Sequence, residues 1–282
     1  MTNLYSAFRE IWANRAQAPC VVTDDATLCF AELDNRAAAF VEALRNTATL
    51  TPGDTVMAVL DKSPDALALY LACLRCGAVF LPANPAYTAP ELSYLGADAS
   101  PAVLVVAPRL ADLGEAIRKE VSSVRCLHTL GTTGDGTLSE AAPDTASSDD
   151  ILAREPADHA ALLYTSGTTG QPKGVPLSHG NLLHNARALV NAWGFGPEDR
   201  LVHALPIFHV HGLFVALHCA LLSGASVRWL ERFDGARVRD ALRDASVLMG
   251  VPTYYARLLA LDSCEAHHAA SVRLFISGSA PL

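Results

Sequence analysis

Thr51-Pro52-Gly53-Asp54-Thr55-Val56-Met57-Ala58-Val59-Leu60 decides the fold class. A Pro-Gly turn leads into five successive apolar residues, Val56 to Leu60, with no polar residue alternating among them. A strand of that pattern is buried on both faces. Ser63-Pro64 then offers a helix start, because proline suits the first helical position. The apolar segment 66–76 behind it reads as a buried helix. The same alternation runs outward, through a strand at 78–81, a helix near 89–92 and a strand at 103–106. It resumes with a strand ending at Tyr164, a helix from about Asn181 with Ser178 or Asn181 as cap, a strand at 201–205 and a helix through Leu222. A strand at 226–230, a helix near 238–242 and strands at 247–249 and 274–276 close the series. Apolar strands between helices predict an α/β fold of layered, parallel-rich sheets flanked by helices. No internal repeat is evident.

One loop in this series carries concentrated chemistry: Tyr164-Thr165-Ser166-Gly167-Thr168-Thr169-Gly170-Gln171-Pro172-Lys173-Gly174. Four Ser/Thr hydroxyls, three glycines and one lysine lie within eleven residues. An apolar run feeds in, and a helix-like segment follows. Glycines let backbone N–H groups turn toward an anion, hydroxyls add donors, and lysine adds a full charge. A flexible linker of similar composition rarely follows a buried strand directly. The spacing is not that of a P-loop, since Pro172 stands five residues after Gly167 where Gly-Lys is needed, and no G-x-G-x-x-G occurs.

The loop instead resembles the phosphate loop of adenylate-forming enzymes, the superfamily of acyl-CoA synthetases, nonribosomal peptide adenylation domains and luciferases. Leu205-Pro206-Ile207-Phe208-His209-Val210-His211-Gly212-Leu213 is similar to that family's segment beside the acyl pocket and adenylate. Gly250-Val251-Pro252-Thr253 is similar to the strand end leading into the acyl-binding helix, and Ser277-Gly278-Ser279-Ala280-Pro281-Leu282 to the stretch near the adenine. Leu71-Ala72-Cys73-Leu74-Arg75 and Arg273-Leu274-Phe275-Ile276-Ser277 look most like malonyl-CoA synthetases. The resemblance covers essentially the whole chain.

It implies an acid–thiol ligase that makes acyl-AMP and then acyl-CoA, using ATP, Mg2+ and coenzyme A as a substrate. Thr165, Ser166, Gly167, Thr168, Thr169, Gly170 and Lys173 would cradle the β- and γ-phosphates, with magnesium reaching Thr165 or Thr168. Lys173 would act as a point charge. A histidine in an apolar segment is usually a hydrogen-bonded core residue, but His209 falls where the family has a histidine between adenylate and carboxylate. There it would orient the carboxylate or gate the pocket. His211 would line the acyl site if the local backbone is extended, whereas His203 and His218 read as structural. Ser277, Gly278, Ala280 and Pro281 would lie beside the adenine.

Substrate choice rests on Arg257. Most arginines on helices are solvated, yet malonyl-CoA synthetases resemble this chain in having arginine there. With help from Ser279, it would hold the second carboxylate of malonate or methylmalonate bidentately. A medium-chain or aryl acyl-CoA synthetase is the alternative within the family, and a catalytically dead nucleotide-binding module the alternative outside it. An amino-acid adenylation domain is disfavoured, since no aspartate stands near Phe208-His209 for a substrate amine.

Composition narrows the remaining classes. The 282 residues are 51% hydrophobic and 18% charged, enough for a substantial core. A net charge of −8 argues against non-specific nucleic-acid binding. The longest apolar run, 66–74, is far short of the ~20 residues a membrane span needs. No secretory signal is visible behind Met1, and Arg9 and Arg15 flank Glu10, so the cytoplasm is expected. Seven scattered cysteines read as free thiols, and Cys73-x-x-Cys76 as two residues sharing a face of a core helix. Histidines and cysteines form no metal cage at ligand spacing.

The expected organisation is a first βα sub-domain over 1–130, an acidic solvated connector over 131–158, and an incomplete phosphate-loop and acyl-pocket sub-domain over 159–282. Adenylate-forming enzymes continue past the point matching Leu282, into a Tyr-Gly-x-Thr-Glu motif, a ribose-binding aspartate and a C-terminal domain with a catalytic lysine. The chain therefore reads as the N-terminal part of a longer enzyme, the large N-terminal domain being itself incomplete and the C-terminal domain absent. Such a chain is not expected to make acyl-CoA alone.

Overall fold

Each of the eight apolar runs read as strands forms one, within a residue or two of its expected limits. The computed structural model describes residues 3–165, 172–261 and 265–281. In chain order the elements are α1 (Leu4–Trp12), β1 (Pro19–Val22), β2 (Thr27–Cys29), α2 (Phe30–Ala48), β3 (Thr55–Val59), α3 (Pro64–Cys76), β4 (Val79–Pro82) and α4 (Ala89–Ala99). Next come β5 (Val103–Val106), α5 (Ala111–Glu120), β6 (Cys126–Thr129), α6 (Thr137–Ala141), β7 (His159–Thr165), β8 (Lys173–Ser178), α7 (His179–Trp193) and β9 (Arg200–His203). A π-helical stretch, His211–Leu217, continues as α8 (His218–Ser223). Then follow β10 (Ser226–Trp229), α9 (Gly235–Ala241), β11 (Val247–Gly250), α10 (Pro252–Leu259) and β12 (Leu274–Ser277).

The chain forms two compact units, Met1–Ala7 with Asp34–Leu183, and Phe8–Leu33 with His184–Leu282. These limits differ from the sub-domains 1–130, 131–158 and 159–282 suggested by composition. The difference comes from long-range strand pairing, which local composition does not carry. Strand β7 pairs in parallel with β4, so the strand feeding the loop completes the first sheet, while β1 pairs with β10 in the second.

In the first unit the sheet order is β6-β5-β3-β4-β7-β8, all parallel except the β7–β8 pair. The core gathers Met57, Val59, Leu81, Leu104 and Val106 from the strands with Leu92, Leu95 and Ile117 from α4 and α5. Helix α3 starts as expected. Ser63 Oγ accepts from Ala66 N–H at 3.0 Å, Pro64 takes the first turn, and Gly77 closes the helix in the left-handed region at φ 76°. Cys73 and Cys76 are both buried in it, and burial raises both thiol pKa values. At the start of α7, Ser178 and Asn181 cap each other reciprocally, each side chain accepting the other's N–H at 3.1 Å.

The 131–158 segment is not a freely solvated connector. Arg75, only 1% exposed, donates to Asp34 at 3.0 Å, to Asp149 and to the carbonyls of Ser148 and Asp150, with its guanidinium over the Tyr5 ring. Glu42 accepts from Ser147 Oγ and Ser148 N. A buried guanidinium has five donors to satisfy, and backbone carbonyls of the acidic stretch supply acceptors that composition does not reveal.

His179, fully buried at the start of α7, accepts the Leu4 N–H on Nδ1 at 3.1 Å. Burial, reinforced by the charge of Arg154, lowers its pKa to about 4. The unfolded histidine titrates near ~6.5, so between those values the unfolded chain binds the extra proton. Stability from this group is complete above about pH 6.5 and drains away as the pH falls toward the folded value. His179→Asn, which keeps an acceptor toward Leu4 without titrating, should flatten that part of a pH-dependent melting profile. An unaltered slope between the two pKa values would remove His179 from the acid response.

In the second unit the order is β12-β11-β9-β10-β1-β2, parallel except for β1–β2. Val202, Leu230 and Leu248 pack with Val238 of α9 and Leu258 of α10. Arg273, just before β12, grips Asp199, just before β9, with two parallel bonds of 2.9 and 2.6 Å. Among the described residues no helix is long and apolar enough to cross a membrane. Six cysteines are free, and Cys264 lies outside the described residues.

Candidate functional site

Thr165 ends β7 and stands directly opposite Lys173, the first residue of β8, with Tyr164 opposite Gly174 behind them. Both Thr165 and Lys173 are exposed. Strands β7 and β8 on either side of the loop pair antiparallel, so a strand precedes the helix-like segment that the sequence showed after the loop. Gly174 and Pro176 hide the strand character of β8, but β8 is an edge strand, where proline is tolerated. Ser166, Gly167, Thr168, Thr169 and Gly170 lie outside the described residues. No ion pair reaches Lys173 among the described residues.

The remaining candidates belong to the second unit. Strands β12, β11 and β9 are parallel neighbours whose C-terminal ends lie level, Gly250 opposite Ser277 and Met249 opposite both His203 and Ile276. Open α/β sheets bind ligands beyond that edge. Beyond β9, His209 is exposed, with its ring tilted on Phe208 at 4.5 Å. Partial enclosure by neighbouring protein lowers its pKa. His211 is buried, and Nδ1 shares a hydrogen bond with Ser279 Oγ at 3.2 Å. Burial lowers its pKa too.

The extended backbone assumed for His211 is absent. Val210 has helical torsions (φ −46°, ψ −50°) and His211 opens the π-helical stretch, so strand alternation does not relate His209 to His211. Gly212 explains the tight entry, since a Cβ there would lie 2.0 Å from the Pro206 carbonyl oxygen. The Gly212 carbonyl meets His203 Nε2 at 2.9 Å, and the His203 ring stacks on Trp229. His218 is buried against Phe8 and Phe214, and burial lowers its pKa to about 3. Both histidines have the structural surroundings expected of them.

Past β12, Gly278 N–H donates to the Gly250 carbonyl at 3.2 Å and its Cα faces the His211 ring. Ser279 is left-handed, at φ 67°, a conformation costing a non-glycine residue about 1–2 kcal/mol. Such outliers cluster at ligand sites. Ser277 is half-buried at the strand end, and Ala280 and Pro281 are exposed. Arg257 is exposed on α10, and no hydrogen bond or ion pair holds it among the described residues. Tyr254, one turn earlier, has its pKa raised by burial and drawn back by the Arg257 charge, so the two are neighbours.

The structure thus joins His211, Gly278 and Ser279, leaves Arg257 on the next strand's helix, and keeps His209 at the surface. Thr165 and Lys173 belong to the other unit. Tyr255 orients α10, because its hydroxyl donates to the carbonyls of Ile276 at 2.6 Å and Leu248 at 3.1 Å. The Tyr254-Tyr255 doublet behind Gly-Val-Pro-Thr is the sequence signal for this anchor. Among the described residues, no group of three or more His, Cys, Asp or Glu could hold a metal ion.

A profile of the AMP-binding enzyme family matches residues 8–282, and the chain belongs to that family. Among solved structures it is similar to ATP-bound MatB from Rhodopseudomonas palustris, with 42% identity, a TM-score of 0.94, and coverage of 100% of this chain and 56% of that one. Among curated relatives, 4-coumarate--CoA ligase 5 of Oryza sativa subsp. japonica is 30% identical over 285 residues, 96% of this chain and 51% of the relative. Malonate--CoA ligase ACSF3, mitochondrial, of Xenopus laevis is 39% identical over 140 residues, 44% of this chain and 24% of the relative. The chain spans about half the length of the first of these relatives.

Proposed function

We propose that this chain belongs to an ATP-dependent acid–thiol ligase that converts malonate or methylmalonate to its CoA thioester. A carboxylate oxygen attacks the α-phosphorus of ATP and pyrophosphate leaves; the thiol of coenzyme A then attacks the acyl carbon and AMP leaves. Catalysis of the first step is mostly positioning and electrostatic stabilisation. Lys173 supplies positive charge to the β- and γ-phosphates, with Thr165, Ser166, Gly167, Thr168, Thr169 and Gly170 as further donors. Magnesium would accompany the nucleotide and neutralise phosphate charge, and the exposed Thr165 hydroxyl, or that of Thr168, is the hard oxygen donor it favours. His209 orients the reacting carboxylate. Ser277, Gly278, Ala280 and Pro281 border the adenine. The cytoplasm is the compartment we assign.

The observation that carries the substrate is Arg257, an exposed guanidinium without an ion-pair partner among the described residues, on the helix that follows β11. It takes the second carboxylate, while Ser279 and His211 sit past the neighbouring strand end. The similarity to 4-coumarate--CoA ligase favours a second reading, an aryl or medium-chain acid. Such a substrate gives Arg257 no charge to bind. Pyrophosphate release by the full-length protein, measured over mono-, di- and aryl carboxylic acids, decides between them. Preference for an aryl or fatty acid over malonate and methylmalonate would overturn the dicarboxylate assignment.

A further inference from the structure

Two side chains one turn apart on α4 reach both stems of the loop hairpin. The Tyr164 hydroxyl donates to the Asp98 carboxylate, and the Tyr94 hydroxyl donates to the Pro172 carbonyl at 3.0 Å. Tyr164 immediately precedes Thr165 on the outgoing strand, and Pro172 immediately precedes Lys173 on the return. Residues 94 and 98 are i and i+4, so they project from one face of the helix. Both stems are therefore held at the level where the loop begins and ends.

We propose that Tyr94 and Asp98 are positioning residues for the phosphate loop, fixing the separation and orientation of Thr165 and Lys173 toward the ATP phosphates; this rests on the ligase reading above. The rings of Tyr94 and Tyr164 pack on the core around Leu92 and Leu95, a task phenylalanine would perform equally. Their hydroxyls add nothing to that packing and are aimed at the hairpin and at Asp98. Burial and then Asp98 raise the Tyr164 pKa, so the phenol remains a donor at neutral pH. Helix α4 is itself firmly placed. Thr88 and Glu91 form a capping box at its start, and Gly96 lets it approach Val121, which a Cβ would meet at 3.0 Å.

The test uses the full-length protein and compares Tyr94→Phe, Asp98→Ala and Asp98→Asn. Loss of one such bond should raise KM for ATP about 3- to 10-fold. KM for the carboxylate and for coenzyme A should stay within about twofold. Asp98→Asn, whose amide oxygen still accepts from Tyr164, should remain near wild type. Titration of ATP by calorimetry should give the same shift in Kd without turnover. A wild-type protein lacking carboxylate-dependent turnover would count against the ligase reading, and Kd would still decide the positioning role. An ATP Kd and KM unchanged in Tyr94→Phe and Asp98→Ala would overturn the proposal. So would equal rises for all three substrates accompanied by a fall in melting temperature.

Discussion

Arg257→Ala is expected to impair malonate turnover by the full-length protein far more than turnover of acetate or butyrate. A monocarboxylate has nothing for the guanidinium to hold, so its kcat/KM should change little. With malonate, a charge-assisted and bidentate contact is lost, worth about 2–3 kcal/mol or roughly 30- to 150-fold in relative kcat/KM. Arg257→Lys should recover only part of this, because an ammonium cannot reproduce the planar fork. The measurement is kcat/KM across a series of mono- and dicarboxylic acids. Equal losses on both classes would leave Arg257 a surface residue of α10 and return the substrate question to the aryl and fatty acids.

Lys173→Ala is expected to lower the adenylation rate by roughly 10²–10³-fold, the usual consequence of losing one preorganised charge contact. Lys173 is exposed at the base of the hairpin tip, facing Thr165 across the ladder, so its substitution should leave the melting temperature nearly unchanged. Carboxylate-dependent pyrophosphate exchange isolates this first step from thioester formation. A near-normal exchange rate in the variant would exclude Lys173 from the phosphate site.

The legible parts of the fold share one property: their signal is local. Val56–Leu60, Val103–Val106 and Val247–Met249 have both faces buried and show it as unbroken apolar runs. Strands β1, β2, β6 and β8 are short or edge elements, and their formation depends on distant partners. The turn at Thr23-Asp24-Asp25-Ala26, closed by bonds between Thr23 and Ala26, was the available sign of the β1–β2 hairpin. Arg75 shows the same limit for side chains, since an arginine on a helix is normally solvated and this one is fully enclosed. In the candidate site, hydroxyls, glycines and lysine are the local signal for the proposed anion loop, and nothing local shows that the strands beside it pair antiparallel. Nor do residues 211–217 announce a π-helical stretch, which replaces the extended backbone assumed for His211.

The π-helical stretch His211–Leu217 bears on how this region can change in length. A π turn holds an additional residue relative to an α turn, and one deletion within it returns the segment to ordinary helix. Closing the bulge keeps the flanking helix nearly in register, so the change falls on the contacts made at the bulge itself. His211 would leave Ser279, and Gly212 would leave the Pro206 carbonyl against which it alone fits. Point substitutions here alter one contact at a time, whereas a single-codon deletion alters both at once. The bulge is thus a point at which a change in length, rather than in side chain, would reshape the surroundings of His211.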